Sequence, residues 1–430
     1  MRTASELTVH AEASTPADSL IQEPRQASDP DSSEDSRCPL PRVLMVTGAY
    51  YPEMSGGGLQ CRELVRALKQ RLSVSVLTTS TDSARPAFEL VDGVPVHRVH
   101  VDLQRSSSMF LAALRLILVM ITHRRRFDIV HLHGFSTKSV LVSSLARTLK
   151  KRVVIKLTSV GHDDPQAMRA RGGWFWRAYA QADLLIGVSP RFEQLAEVSG
   201  FPKEKCRTIP NGVDTNRFRP GDPVERAMLR TRLGLPGGMP LVLFVGFFSR
   251  EKHPEVLFEA WWRIQQAGGP MAGLVFIGAT RSRYAEINPH LADEIRSRVK
   301  HHGVEQRVFF IERTDQIEQH YRCADLFVLP SSREGLPNAL LEAMATGLPS
   351  IASRLPGVTD ALIEDGNNGL LVPPEDPESL ALTMQRLLAD AAFSRALGCK
   401  ARATVEARYA IERIATRYQA LYRELMKCAA

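Results

Sequence analysis

Two glutamates, Glu334 and Glu342, flank a Gly-Leu-Pro turn and the start of an Ala/Leu-rich helix in SSREGLPNALLEAMATGLP. The apolar run ADLFVLP reads as a strand that ends at Pro330, so Glu334 is expected at a strand's carboxyl end. Pro337 fits the first helical position, where its missing N–H has no penalty. The free backbone amides and the positive dipole of the helix tip then form an anion site.

Carboxylates repel phosphate but accept hydrogen bonds from hydroxyl groups. At about 1.5 Å per residue, Glu342 lies roughly 7–8 Å along the helix from Pro337. A diphosphate at the helix tip would therefore place one sugar near Glu334 and another near Glu342, which is the shape of a nucleotide-diphosphate sugar. The alternative is that Glu334 is an acidic residue favoured near a helix N-terminus and Glu342 an ordinary surface side chain.

Cations and glycines occur at equivalent places in the pattern. Arg250 and Lys252 follow the strand LVLFVGFF and can neutralise the same diphosphate. The alternative is a solvated charged turn. The segment SGGGLQ (55–60) lies between the first predicted strand and helix, where glycines permit close approach to a ligand. The alternative is a tight turn alone, and because GxGxxG is absent a nicotinamide cofactor is not favoured.

Apolar strands alternate with helices along the chain and predict two doubly wound, Rossmann-like α/β domains that face each other across a cleft. We expect residues 40–220 to form an acceptor-side domain and 221–400 a nucleotide-sugar domain. A helix over 401–430 is expected to cross back to the first domain. Residues 1–39 have few large apolar side chains and are expected to be a disordered tail.

The composition is that of an ordinary soluble protein with an anion-attracting surface. The 430 residues include 44% hydrophobic and 24% charged side chains, with a net charge of +8. Nucleotides, phosphorylated lipids and anionic membranes are compatible with this charge. A nucleic-acid partner is not predicted, because no basic run is interleaved with aromatic residues. The six cysteines have no CxxC spacing, so neither a zinc site nor a redox motif is expected.

One segment has the composition of a membrane-facing helix. MFLAALRLILVMI (109–121) is too short to span a bilayer and is followed by Arg124–Arg126. It is either a buried core helix or an amphipathic helix that rests on an anionic membrane surface with the arginines at the headgroups.

Several of these segments together resemble glycosyltransferase family 4, whose members are retaining enzymes with the GT-B fold. SSREGLPNALLEAMATGLPSIAS resembles the E-x7-E motif of that family, and IPNGVDTNRFRP (209–220) resembles its NGVD signature. VGFFSREKHPEVLFEA and YYPEMSGGGLQ are similar to its phosphate-binding segment and its glycine loop. The resemblance extends over residues 41–425.

The resemblance implies roles for matching positions. Glu334 would contact the donor sugar and Glu342 the ribose. Lys252 would contact the phosphates. The remaining implied donor-binding residues are Gly335, Leu336 and Asn338 along the diphosphate and sugar, Gly57 and Gly58 in the glycine loop, and Arg313 near the base.

The chain also departs from the family pattern. Phe247 occupies the position of a phosphate-binding arginine, which Arg250 is a candidate to replace. A histidine that the family often has after the strand VVIKLTS is absent there, so His133 and His162 are the candidate polar groups near the sugar. A structural role is the alternative for each histidine.

The predicted function is retaining transfer of a hexosyl group from a nucleotide sugar, with UDP as the commonest nucleotide of the family. The expected acceptor is a glycan or lipid-linked molecule of surface polysaccharide biosynthesis, and the expected location is cytoplasmic, peripheral to the membrane. No metal or cofactor is expected, since His162-Asp163-Asp164 is not a convincing DxD motif. The alternative is a non-catalytic nucleotide-sugar-binding protein, which the Phe247 substitution favours.

Overall fold

The computed structural model describes residues 40–53, 55–280 and 287–427, and these form two open, mainly parallel sheets. The predicted tail 1–39 lies outside this range. The first sheet has strand order β3-β4-β2-β1-β5-β6-β7-β8, and the second has the order β11-β10-β9-β12-β13-β14. All pairings are parallel except that of β3 with β4.

The strands of the first sheet are β1 (Arg42–Thr47), β2 (Ser73–Ser80), β3 (Phe88–Val91), β4 (Val94–His100), β5 (Ile129–His133), β6 (Arg152–Lys156), β7 (Leu184–Gly187) and β8 (Cys206–Thr208). Those of the second are β9 (Leu241–Val245), β10 (Gly273–Ile277), β11 (Val308–Ile311), β12 (Leu326–Leu329), β13 (Ser350–Ser353) and β14 (Leu370–Val372).

The helices associated mainly with the first sheet are α1 (Gly56–Leu68), α2 (Ser106–Thr122), α3 (Thr137–Thr148), α4 (Pro165–Arg171), α5 (Gly173–Ala180), α6 (Pro190–Ser199) and α14 (Ile411–Lys427). The others are α7 (Pro223–Arg232), α8 (Pro254–Gln266), α9 (Pro289–His301), α10 (Ile317–Cys323), α11 (Asn338–Ala345), α12 (Pro377–Ala389) and α13 (Ala391–Arg408).

The central strands are buried along almost their whole length, as expected for parallel strands covered by helices on both faces. Each sheet reverses its strand order once, between β1 and β5 in the first sheet and between β9 and β12 in the second. Loops after such neighbouring strands diverge and leave a crevice at the carboxyl edge. The two segments singled out by their glutamates and cations follow β9 and β12 and therefore meet at the second crevice.

Three helix boundaries differ from those predicted. The glycines of SGGGLQ are not a separate loop, because α1 begins at Gly56. Pro337 is the N-cap of α11 rather than its first helical residue. The helix expected over 401–430 is two helices, α13 and α14, separated at Tyr409 and Ala410. The last three residues, 428–430, lie outside the described range.

Helix α14 returns to the first sheet and packs on α1. Its apolar side chains Ile414, Tyr418 and Leu421 are buried, and Arg71, just beyond α1, forms a 2.5 Å ion pair with Glu412. Because both faces of this contact are apolar, the C-terminal helix closes the core of the first sheet.

Helix α2 is buried on one face only. Ala112, Leu116 and Met120 face the core, while Phe110 and Leu118 on the opposite face are 67% and 61% exposed. In the parts of the chain that the structure describes, no helix is both long enough and apolar enough to span a bilayer.

Candidate active site

The loops after β9 and β12 are held together by hydrogen bonds between their backbones and side chains. The Ser332 amide donates to the Glu251 carbonyl at 2.9 Å, and the His253 Nε2 atom lies 2.9 Å from Ser332 Oγ. Within this frame, Lys252 Nζ lies 2.5 Å from Glu334 Oε1. The structure therefore brings together the cation and the carboxylate that the sequence placed 82 residues apart.

Burial makes this ion pair stronger than one on the surface. Glu334 is only 8% exposed, so its carboxylate requires a nearby cation or hydrogen-bond donors. Lys252 supplies the cation while retaining access to solvent. A negatively charged ligand at this crevice would compete with Glu334 for Lys252, and a hydroxyl group of the ligand would in turn satisfy the carboxylate.

His253 was not predicted as a site residue. It adopts a left-handed backbone conformation (φ 47°) at the start of α8, and its Nδ1 atom lies 2.8 Å from Glu255 Oε1. The hydrogen bond with Glu255 raises the pKa of the imidazole. His253 thus positions the Ser332 loop from the Lys252 side, and its location directly after Lys252 was the available signal.

Gly335 forms a close contact between the two halves of the cleft. A Cβ atom at this position would lie 2.1 Å from the Thr158 carbonyl oxygen, which belongs to the loop after β6. Only glycine permits this approach. The Asp163 carboxylate holds the same loop by accepting bonds from the Thr158 amide at 2.9 Å and hydroxyl at 2.7 Å.

Asp163 and Asp164, which follow His162, accept hydrogen bonds from backbone amides of this loop and of α4. Asp163 is 3% exposed, and burial raises the pKa of its carboxyl. Asp164 caps α4 by accepting a bond from the Ala167 amide at 2.9 Å. His162 itself lies in an exposed turn, and within the described ranges its ring makes no hydrogen bond. The preceding Gly161 lies beside Arg333, so the turn that carries His162 borders the Glu334 loop without a hydrogen bond from the His162 ring.

Asn338, at the first position of α11, connects three predicted segments. Asn211 Nδ2 of the NGVD segment donates to Asn338 Oδ1 at 2.8 Å and lies 3.4 Å from the Leu336 carbonyl. The side-chain Nδ2 atom of Asn338 lies 3.4 Å from the Gly56 carbonyl oxygen at the start of α1. The α11 tip thus borders both the NGVD segment and residues 55–58 at the start of α1, called the glycine turn below.

Glu342 lies one turn further into α11, in a largely enclosed environment. Its Oε2 atom accepts a 2.9 Å hydrogen bond from the Tyr321 hydroxyl. Burial, with nearby Glu63 and Glu318 adding to the effect, raises the pKa of the Glu342 carboxyl to about 7, although Tyr321 and Arg217 oppose the shift. Glu342 accepts a hydroxyl hydrogen bond as a carboxylate, and this carboxylate becomes protonated near neutral pH.

The glycine turn has two distinct roles. A Cβ at Gly58 would lie 2.3 Å from the Ala49 carbonyl, so this glycine permits α1 to pack against the segment after β1. A Cβ at Gly57 would meet only the Thr158 methyl, at 4.0 Å. Ser55 caps the helix by accepting a 3.1 Å bond from the Gly58 amide. Gly57, rather than Gly58, is the glycine that borders the cleft.

A buried polar cluster lies beneath the glycine turn. His133 is 8% exposed, and among the described residues neither of its ring nitrogens has a hydrogen-bond partner. Burial holds its pKa well below the usual range. Lys156, paired with His133 across β5 and β6, is 2% exposed, and burial lowers its pKa to about 8. His133 is therefore a neutral imidazole whose two ring nitrogens are buried without a hydrogen-bond partner in the described residues.

The two remaining candidates lie on the surface. Arg250 is exposed at the end of the β9 loop, and no ion pair of its side chain is found in the described parts of the chain. Arg313 follows β11 with 58% of its side chain exposed and makes a loose 3.8 Å contact with Asp315. Neither residue is brought into contact with the Lys252–Glu334 pair.

Comparison with known sequences agrees with this geometry. Residues 55–212 match the profile described as "Glycosyl transferase 4-like domain", and residues 239–390 match "Glycosyl transferases group 1". A D-inositol 3-phosphate glycosyltransferase of Xylanimonas cellulosilytica is 29% identical over 399 residues, covering 84% of this chain and 92% of the relative. An uncharacterized glycosyltransferase of Methanocaldococcus jannaschii is 25% identical over 90% of this chain and 99% of its own length.

Solved structures share the two-domain architecture. The sucrose-phosphate synthase of Thermosynechococcus elongatus has a TM-score of 0.75 and 25% identity, covering 90% of this chain and all of that chain. Anabaena HepE in complex with UDP and glucose has a TM-score of 0.72 and 18% identity, covering 88% and 98% of the two chains. The matched domains, the relatives and the architecture together identify the chain as a member of the family 4, group 1 glycosyltransferases with the GT-B fold.

Proposed function

We propose that this glycosyltransferase transfers a hexosyl group, with retention of anomeric configuration, from a UDP-sugar to an acceptor hydroxyl. The observation that carries the proposal is the Lys252–Glu334 pair, 2.5 Å apart beside the α11 tip. Anabaena HepE, which has the same fold, was crystallised in complex with UDP and glucose, and this favours UDP over other nucleotides.

The chemistry assigned to this site is electrostatic. The bond between the sugar C1 and the leaving diphosphate breaks, and a bond from C1 to the acceptor oxygen forms on the same face. The departing diphosphate oxygen takes the acceptor proton. Lys252 and the amides of the α11 tip stabilise the developing negative charge, and Glu334 orients the sugar through its hydroxyls. Glu342 holds the ribose.

His133 has a further role in this proposal. It lies at the carboxyl end of β5 as a buried neutral imidazole, and its two nitrogens have no partner among the described residues. A sugar hydroxyl is a group that such an imidazole can bind without changing its charge. His162 and Arg313, which are exposed and form no hydrogen bond with the ion pair in the described residues, are weaker candidates, whereas exposed Arg250 is available to meet a phosphate.

We further propose that catalysis needs no metal ion. Lys252 and the helix tip supply the positive charge that a metal would otherwise provide. The acidic pair Asp163 and Asp164 is committed to backbone amides. Full activity in excess chelator is expected, and abolition that is reversed by added Mg²⁺ or Mn²⁺ would overturn this part of the proposal.

Binding is tested first by thermal shift against UDP, GDP, ADP and their glucose conjugates, since a ligand specific for the folded state raises Tm by mass action. The wild type should respond to the UDP series, and Lys252→Ala should not. Lys300→Ala, an exposed lysine on α9, is the matched control and should respond like the wild type. A response to none of the nucleotides would contradict the UDP assignment.

Turnover separates the enzyme from the non-catalytic alternative. Transfer or slow hydrolysis of the UDP-sugar should fall about 100-fold or more in Glu334→Gln, if the carboxylate orients the reacting sugar. Nuclear magnetic resonance of the fresh product should show the anomer of the donor. Ligand binding without turnover on any acceptor would support a nucleotide-sugar-binding protein instead.

We propose that the acceptor is a lipid-linked or membrane glycan of surface polysaccharide biosynthesis. We also propose that the protein binds peripherally to the cytoplasmic face of the membrane. The exposed apolar face of α2 carries this part. Leu114 and Leu118 on that face are 46% and 61% exposed, and the exposed Arg124–Arg126 follow at its end. Such a face fits the interface of an anionic bilayer.

Vesicle co-sedimentation tests the membrane part. The wild type should bind vesicles containing phosphatidylglycerol at low salt, and Leu114→Asp with Leu118→Asp should reduce binding about tenfold or more. Leu382→Asp, at a 64% exposed leucine of α12, is the control. Equal binding by all three proteins, or none by the wild type, would reject this surface.

A phosphorylated polyol is the second candidate acceptor. It is favoured by the relatives named D-inositol 3-phosphate glycosyltransferase. Comparing D-inositol 3-phosphate with lipid-linked acceptors, at equal UDP-sugar concentration, decides between them.

A further inference from the structure

A cavity that Leu336 lines lies apart from the Lys252–Glu334 pair. Its volume is about 620 Å³, within the usual size of small-molecule sites. Its walls come from the loops after β7 and β8, from Leu336 and Ala361 of the second half, and from the junction of α13 and α14. We call it the arginine cavity. Lys252, Glu334 and Glu342 do not line it.

All the charged side chains that line the arginine cavity are positive. Arg408, Arg413 and Arg417 line it, and its lining contains no aspartate or glutamate among the described residues. Arg417 is anchored by a 2.6 Å bond to the Thr208 carbonyl. Arg408 lies over the Tyr409 ring at 5.4 Å. In the described parts of the chain, the Arg413 side chain has no hydrogen bond or ion pair, so two guanidinium groups remain available to a ligand.

Two acidic side chains lie near the cavity. Glu412 pairs with Arg71 at 2.5 Å, whereas Glu193 accepts a bond from the hydroxyl of the lining residue Thr208. In the described parts of the chain neither carboxylate forms an ion pair with Arg408, Arg413 or Arg417, so an anion would not have to displace an ion pair of these arginines.

The floor of the cavity is apolar, with polar groups at its edge. Val188 and Pro190 belong to this floor. Apart from the arginines and Tyr409, the polar side chains of the lining in the described residues are those of Thr208 and Thr416.

We propose that the arginine cavity binds a phosphorylated compound of monosaccharide size. Guanidinium groups bind phosphate through paired hydrogen bonds, and Arg408 with Arg413 can neutralise a dianionic phosphate monoester. The apolar lining residues, among them Val188 and Pro190, accept the face of a ring, and the lining threonines Thr208 and Thr416 offer polar groups to its hydroxyls. The residues proposed to hold the donor, Lys252, Glu334 and Glu342, do not line this cavity, so the two ligands occupy different sites.

A ligand in this cavity would also influence the donor cleft. It would contact both halves of the chain at once and so favour the arrangement in which Leu336 and Pro210 face it together. If this ligand changes the affinity for the donor, the donor changes the affinity for this ligand by the same factor, because linkage of two binding sites is reciprocal. The binding itself does not depend on the proposed catalytic function.

Isothermal titration with glucose 6-phosphate, glucose and inorganic phosphate at low ionic strength tests the proposal. The wild type should bind glucose 6-phosphate saturably and bind glucose at least tenfold more weakly. Arg408→Ala with Arg413→Ala should weaken glucose 6-phosphate binding at least tenfold, and Arg413→Ala alone should lie between. Arg395→Ala, an exposed arginine of α13, is the matched control.

Binding of UDP by the double variant serves as the check that its fold and donor cleft are intact. Saturable binding of inorganic phosphate, weakened by the same substitutions, would also support the site and would show that phosphate is its main determinant. No saturable binding of either phosphate compound, equal affinity in the double variant, or displacement of glucose 6-phosphate by UDP would overturn the proposal.

Discussion

Replacing Glu342 with glutamine is expected to stabilise the free protein while weakening nucleotide binding. Burial raises the pKa of this carboxyl from 4.5 to about 7. The unfolded chain therefore loses the proton more readily than the folded protein, and folded-state stability falls as pH rises from about 4.5 to 7. Above pH 7 the full penalty remains.

The size of the effect follows from the shift. Each pKa unit corresponds to about 1.4 kcal/mol, and with allowance for the partial exposure of the side chain we expect Glu342→Gln to gain about 1–3 kcal/mol at pH 8. That is an increase in Tm of about 2–6 °C. Glutamine can still accept the Tyr321 hydrogen bond, so this contact does not offset the gain.

Thermal unfolding at pH 8 and pH 5 measures the effect, with Glu305→Gln at an exposed position of the second half as the control. At pH 5 the folded wild type holds the proton, and the advantage of the variant should fall below about 1 kcal/mol. The affinity for UDP at pH 8 should decrease in the variant, because a neutral amide accepts a ribose hydroxyl less strongly. An equal stability gain at both pH values, or no gain at pH 8, would refute the reasoning.

Four further substitutions have defined outcomes. Lys156→Met should raise the free energy of unfolding at pH 7 by about 1–3 kcal/mol and lose this advantage by pH 10.5. The reason is that the pKa of Lys156 is about 8 in the folded protein and 10.5 in the unfolded chain. Chemical denaturation between pH 7 and pH 10.5 measures the effect. Gly58→Ala should cost about 1–3 kcal/mol by the same measurement, because its Cβ would meet a carbonyl at 2.3 Å. Gly56→Ala, with nothing within 4 Å, should be neutral or slightly stabilising, and equal effects would contradict the packing argument. Gly335→Ala should lower kcat by about 100-fold, because a Cβ 2.1 Å from the Thr158 oxygen displaces the reacting groups; unchanged kcat would show that this contact is not needed for turnover.

The sequence was most informative where one local rule dominates. Continuous apolar runs such as that of β9 predict buried parallel strands, and alternation with helices predicts two open sheets. The fold class could therefore be inferred without coordinates. The edge strand β3, with exposed Phe88 and Leu90, has no such run and was not anticipated.

The site was only partly readable from sequence, because its contacts join distant segments. Motif spacing placed Lys252 and Glu334 at strand ends, but only the strand order shows that they form one ion pair. Asp163 has the pattern of an acidic ligand yet binds backbone amides. The raised pKa of Glu342 comes mainly from burial, with Glu63 and Glu318 adding to it and Tyr321 opposing it. Glu63 lies in α1 whereas Glu318 and Tyr321 lie in α10, and these helices share no local sequence pattern with α11.

The junction at Tyr409 has a further consequence for how this protein is built. The Val213 amide donates to the Tyr409 carbonyl at 2.9 Å, and the Ile411 amide donates to the Val213 carbonyl at the same distance. The chain thus leaves the first sheet and returns to it at adjoining points, and every strand of the second sheet lies between them. In topological terms the second sheet is a cassette inserted into the first. We expect that a second-sheet half with other nucleotide or sugar preferences can be exchanged at these two points, while the first sheet keeps the core that α14 closes.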